Sequence, residues 1–163
     1  MKYKRLMFLL GLAIIFSTAA TAQSYKYIGA AKCKMCHNRP DTGEQYNKWA
    51  ASPHAKAMQS LKGDDAKNPK CLKCHSTAAS IDPGMNGGIT VEEGVSCESC
   101  HGPGSVYKSA TIMKNKQLAL TKGLIMPDES LCVKCHNSES PNFKGFNFKE
   151  YAAKIAHPDP KLN

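Results

Sequence analysis

The sequence predicts a small, mainly α-helical fold with much irregular loop and almost no sheet, organised around a core that its own side chains do not supply. Three observations predict it. The unit C-x-x-C-H occurs four times, at Cys33/Cys36/His37, Cys71/Cys74/His75, Cys97/Cys100/His101 and Cys132/Cys135/His136. Those units use all eight cysteines of the 163-residue chain and four of its six histidines. Once an N-terminal export segment is set aside, about 35 residues remain per unit, too few to build a sizeable side-chain core as well.

C-x-x-C-H is the pattern of c-type haem attachment. The two thiols bond covalently to the haem vinyl groups, and the histidine, fixed by the next position, becomes the proximal iron ligand. A disulfide framework of four bridges would also suit an exported chain. It gives no reason for a histidine after every second cysteine. Zinc held by Cys33/Cys36 with Cys71/Cys74 leaves the same histidines unexplained. The expectation is therefore four c-type haems, packed together as the core, with the eight cysteines as attachment points and His37, His75, His101 and His136 as proximal ligands.

Residues 1–22 have the pattern of a secretory signal peptide. Lys2, Lys4 and Arg5 form a positive start, Leu6 to Phe16 is apolar, and Ala20-Thr21-Ala22 fits small-residue cleavage. The apolar run falls short of the about 20 residues of a membrane span; an uncleaved anchor is the alternative. Residues 23–163 then form one domain, periplasmic or otherwise exported, with no stable membrane insertion. Export fits the chemistry, because bacteria attach c-type haem outside the cytoplasm. The formal net charge of +9 falls when the signal peptide leaves. Haem propionates bring the loaded chain closer to neutral. The basic composition thus does not point to nucleic acid. The lysines either neutralise propionates or form a docking ring for an acidic redox partner.

Helix signals are short and punctuated. A helix is expected over Gly43 to Ala50, carrying Tyr46 and Trp49. A second is expected from Ser52 as N-cap, through Pro53 at the first position, to Gly63 as stop. It would place His54 in the first turn, with His54, Met58 and Leu61 on one face. His54 then reads either as an iron ligand or as a capping or surface histidine. Gly63 to Lys70 is a polar loop. Ser80 to Glu93, with Pro83, Gly84, Gly87 and Gly88, is a second loop, with a short extended piece at Ile89–Val91. Ala110 to Leu120 has helical spacing. Pro127-Asp128-Glu129-Ser130 starts the short helix of the fourth unit. Asn147 caps a last helix, Phe148 to Ala156, with Glu150 as capping-box partner. That helix ends at His157-Pro158, where His157 can reach a neighbouring haem.

Several pieces resemble the cytochrome c-554 family of tetrahaem c-type cytochromes. They are Gly29-Ala30-Ala31-Lys32-Cys33-Lys34-Met35-Cys36-His37, Trp49 with His54-Ala55-Lys56-Ala57-Met58, and Gly94-Val95-Ser96-Cys97-Glu98-Ser99-Cys100-His101-Gly102-Pro103-Gly104. The last helix with His157 fits as well. The resemblance implies a small multihaem cytochrome c fold over residues 23–163, with haems stacked in pairs. It implies that His54 ligates the haem of Cys97/Cys100, that His157 ligates the haem of Cys132/Cys135, and that the His75 haem is five-coordinate. In that family the first haem takes its distal histidine from the segment after Gly-Pro-Gly. Here that segment, Ser105 to Met113, contains none. Counting gives the same result: six histidines make at most two bis-His haems, and exchange between identical subunits does not change the number per chain. The remaining irons take Met, Lys or Tyr, with Met113 and Met126 as candidates and Met85 near the second unit, or stay open.

Three functions follow as expectations. The first is an exported electron carrier working between redox protein partners, with no catalytic acid–base constellation. The alternative is an enzyme reducing a small nitrogen species, such as nitric oxide, nitrite or hydroxylamine, at an open five-coordinate haem. The third, a polymerised haem conduit, would need interchain histidines that this chain scarcely has. The oligomeric state is left open.

Overall fold

Residues 24–161 are described in the computed structural model. The expected signal peptide, residues 1–22, lies outside them. Among the described residues the chain is helical and looped, with no strand; its one sheet-like contact is a parallel bridge between Tyr27 and Asn86. Three of the four C-x-x-C-H units sit wholly on short helices: α1 (Ala30–His37), α3 (Pro69–His75) and α5 (Cys97–His101). Between them lie α2 (Gln45–Ala51) and α4 (Thr77–Ser80). After them come α6 (Ala110–Met113), α7 (Lys116–Thr121), α8 (Glu129–Cys132) and α9 (Phe148–Ile155).

The helix ends are made by local chemistry. Asn68 caps α3, its side chain accepting from the Lys70 N–H at 3.0 Å, with Pro69 in the first position. Asp128 caps α8 by accepting from the Leu131 N–H at 3.2 Å. Asn147 caps α9 by accepting from the Glu150 N–H at 3.1 Å, as expected. The Glu150 carboxylate does not close a capping box. It accepts instead from Lys154 Nζ at 2.6 Å, one turn on.

Four expected elements come out differently. The helix over Ser52–Gly63 does not form. The Ser52 N–H turns back to the Trp49 carbonyl at 2.9 Å and ends α2, and Pro53 has no N–H to give. The following amides reach back only three residues, giving turns and then 3₁₀ segments at Ala57–Ser60 and Gly63–Lys67. The expected extended piece at Ile89–Val91 is replaced by a 3₁₀ turn, Val91–Glu93. The single helix over Ala110–Leu120 is broken in two, because Asn115 accepts from the Leu118 N–H at 3.0 Å and starts α7 afresh. The fourth unit is only partly helical: α8 ends at Cys132, and the chain reaches His136 through turns.

What is buried is small and largely polar. Among the described residues the buried hydrophobic side chains are Ile28, Ala30, Ile89, Tyr107 and Ala119, and Ser76, Thr77, Ser96 and Glu98 are buried as well. Glu98 organises this region. Its carboxylate accepts from the N–H groups of Ile28 at 2.9 Å, Gly29 at 2.8 Å and Gly104 at 2.7 Å. It thereby ties the entry to α1 and the turn after α5 to α5 itself. Burial raises the Glu98 carboxyl, and these three N–H groups pull it back down.

Candidate haem centre

Within α1, α3 and α5 each pair of cysteines stands three residues apart and the histidine one further on. That spacing puts both sulfurs and the ring on neighbouring positions of one helical turn. The cysteines form no disulfide, so the framework of four bridges is not present. Units from different parts of the chain adjoin. The Cys33 thiol sits beside Cys97, which holds Cys33 down and, with burial, pushes Cys97 up. Burial, with Cys74 alongside, pushes the Cys135 thiol up to about 12. The first unit therefore faces the third, and the second faces the fourth.

The second and third units are also joined through the backbone. The Thr77 N–H donates to the Gly94 carbonyl at 2.9 Å, and the Ser96 N–H donates to Thr77 Oγ1 at 2.8 Å. On its other side the approach to α5 runs against the His54 segment. The Val95 N–H donates to the His54 carbonyl at 3.0 Å, and Trp49 Nε1 donates to the Val95 carbonyl at 2.8 Å. Gly94 lies so close to this segment that a Cβ on it would stand 2.9 Å from the His54 oxygen and 3.0 Å from the Ala55 oxygen.

All six histidines are within the described residues, half-buried, and four of them form two pairs. The rings of His54 and His136 have centroids 6.0 Å apart, and those of His101 and His157 6.1 Å apart. An imidazole nitrogen binds a transition metal at about 2.0 Å, so two rings flanking one ion have centres roughly 6 Å apart. Both pairs have that spacing. These ring neighbours differ from the partners that the family resemblance implied, in which His54 served the third unit and His157 the fourth. The reason lies in α9. Phe146, just before the Asn147 cap, packs on Tyr151 with ring centroids 5.2 Å apart, a hydrophobic staple. The same Phe146 stacks on His136 at 4.9 Å and 18°. The start of α9 is thus held at the fourth unit. His157, a helix length of about 12 Å further on, is carried away to the third.

The nitrogen chemistry fits an iron ligand set. His101 Nδ1 donates to the Ile125 carbonyl at 3.3 Å, and His157 Nδ1 donates to the Ile155 carbonyl at 2.8 Å. His75 Nδ1 donates to the Ala57 carbonyl at 2.9 Å, with the Ser60 hydroxyl 3.2 Å away. With Nδ1–H engaged, Nε2 carries the free lone pair, as in metal-bound histidine. Burial, and then the neighbouring His136, lowers His54; burial is also the main cause lowering His101. Both rings are therefore held in the neutral, ligating form. His37 and His75 stand outside both pairs. The cysteine and histidine donor set, on single helical turns with backed imidazoles, fits c-type haem.

Glu98 and the Phe146–Tyr151 staple were not singled out among the candidate residues. The staple was signalled by aromatics flanking the Asn147 cap at the required spacing. Glu98 carried no signal of its role, since its three partners lie in two distant stretches. Of the candidate methionines, Met126 is half exposed, while Met85 and Met113 are half-buried.

Comparison with known proteins agrees with this chemistry. A family model described as "Cytochrome c554 and c-prime" matches residues 32–102. Cytochrome c-554 of Nitrosomonas europaea is 32% identical over an alignment covering 79% of this chain and 66% of the relative, so the chain spans just under two thirds of that protein's length. The solved structure of the reduced state of cytochrome c554 from the same organism superposes with a TM-score of 0.54 at 28% identity, covering 82% of this chain and 79% of the other.

Proposed function

The chain belongs to the cytochrome c-554 family of c-type cytochromes, and from that premise we propose that it is an exported carrier. It passes single electrons between redox proteins through four covalently attached haems, one on each C-x-x-C-H unit. The cysteines Cys33, Cys36, Cys71, Cys74, Cys97, Cys100, Cys132 and Cys135 hold the haems. His37, His75, His101 and His136 would each ligate the iron of their own unit, and His54 and His157 would supply the second ligand to the irons held by His136 and His101. The observation that carries the reading is the pair of imidazole couples at 6.0 and 6.1 Å, each joining a motif histidine to one outside any motif.

When bound, each haem supplies one-electron exchange between ferric and ferrous iron. The protein's part is to hold the ligands and keep neighbouring units close. The carbonyls of Ile125 and Ile155 fix the tautomer and orientation of the His101 and His157 rings. The helix of the first unit packs beside that of the third, and Lys73 of the second unit pairs with Glu139 just after the fourth, which keeps these units close. Export is supported by residues 1–22 and by the chemistry of haem attachment. No helix among the described residues is long and apolar enough to cross a membrane.

The test is intact mass and reductive titration of the mature protein. Four haem increments, loss of residues 1–22 and uptake of four electrons per chain are expected. Three or fewer haems in fully matured protein would overturn the assignment. An enzyme reducing a small nitrogen species at the His75 haem is the second reading, favoured by the position of His75 outside both couples. The Ser60 hydroxyl lies at the Nδ1 edge of the His75 ring, away from the iron-binding nitrogen, and so is not a proton donor at the open face.

A further inference from the structure

We infer that the His37 haem, like that of His75, lacks an imidazole on its sixth position, so that this chain offers two irons rather than one to small π-acceptor ligands. The inference rests on the proposal that every C-x-x-C-H unit carries a haem. All six histidines of the chain are placed. The couples His54–His136 and His101–His157 use four of them, and His37 belongs to neither. A family member with a histidine in the segment after Gly-Pro-Gly could complete the first site from there. In this chain that segment is built for another purpose.

Its first residue, Ser105, is bound to the N-terminal stretch twice. Ser105 Oγ accepts from the Lys26 N–H at 2.9 Å, and the Ser105 N–H donates to the Lys26 carbonyl at 3.1 Å. Tyr107 is buried, and its hydroxyl donates to the Gly102 carbonyl at 2.9 Å. Burial pushes that phenol well above its ordinary value, so it stays protonated and engaged rather than becoming a phenolate ligand. Lys108 is exposed. What remains is Met113, half-buried at the end of α6. Its thioether is the segment's remaining soft donor.

Carbon monoxide titration of the fully reduced holoprotein, with haem content fixed by intact mass on the same sample, tests this. The expected result is two carbon monoxide molecules per four haems, together with half of the ferric iron high-spin by electron paramagnetic resonance. One molecule per four haems, with a quarter of the iron high-spin, would overturn it. If the Met113→Leu variant then bound two, Met113 would be the sixth ligand of the His37 haem. Fewer than four haems by mass would instead remove the underlying assignment, and the inference with it.

Discussion

At the scale of single residues, a few side chains act through what they reach across the chain. Glu98 lies between the two cysteines of the third unit, yet its partners are Ile28, Gly29 and Gly104. A buried carboxylate facing three donors is worth more than a surface one, because each N–H would otherwise lose its partner away from water. His54 acts over a similar span. It is held by the Val95 N–H on its carbonyl while its ring faces His136. His54→Ala should therefore convert one low-spin haem to high spin, leave all haems attached, and raise the carbon monoxide stoichiometry by one. Electron paramagnetic resonance of the oxidised variant reads this directly, and unchanged spin states would return His54 to a surface role.

At the scale of elements, short helices are oriented by the loops between them. The approach to α5 passes Gly94 at φ 72° and ψ −142°, a conformation open essentially to glycine alone, with the His54–Ala55 carbonyls pressed against it. Gly94→Ala should cost about 1–3 kcal/mol from backbone strain, and the clash should push the His54 segment away from His136. Denaturant unfolding measures the first effect and the low-spin signal the second. A variant as stable as the parent would mean that the loop relaxes freely. Gly102 plays the same part after α5, at φ 74° with the Gly123 carbonyl directly over it. The α9 staple is the third device of this kind, since Phe146 and Tyr151 fix one end of a helix whose other end carries His157.

At the scale of the whole molecule, five buried apolar side chains among the described residues are a small core for 138 residues. Ordering the backbone costs about 1–2 kcal/mol per residue, which so little side-chain burial does not offset. The haems are expected to supply the missing apolar surface. Polypeptide produced without haem attachment should therefore show little helix by far-ultraviolet circular dichroism and no cooperative thermal transition. Helix content equal to that of the holoprotein would show that the side chains suffice. Surface ion pairs add ties between distant stretches rather than a core. Lys161 Nζ holds Asp41 at 2.6 Å, and Lys73 pairs with Glu139. Exposed pairs of this type contribute little.

By itself, the sequence determined what is local in the covalent chain. The C-x-x-C-H units, the cap at Asn147 and the helix start at Pro127–Ser130 all depend on neighbours a few positions away, and the shortage of residues for a core follows from chain length. From them followed a helical, loop-rich fold built for c-type haem. The number of histidines, and so the limit on histidine pairs, was also legible there. Only the tertiary structure decided which histidines meet. His54 and His136, or His101 and His157, are brought together by the packing of distant segments, most of them turns and loops. No spacing rule links positions so far apart. The helix expected after Ser52 failed for the same reason in miniature: its start and stop residues were present, but Ser52 closed onto Trp49, and the His54 and Ala57 carbonyls were engaged by the distant Val95 N–H and His75 ring.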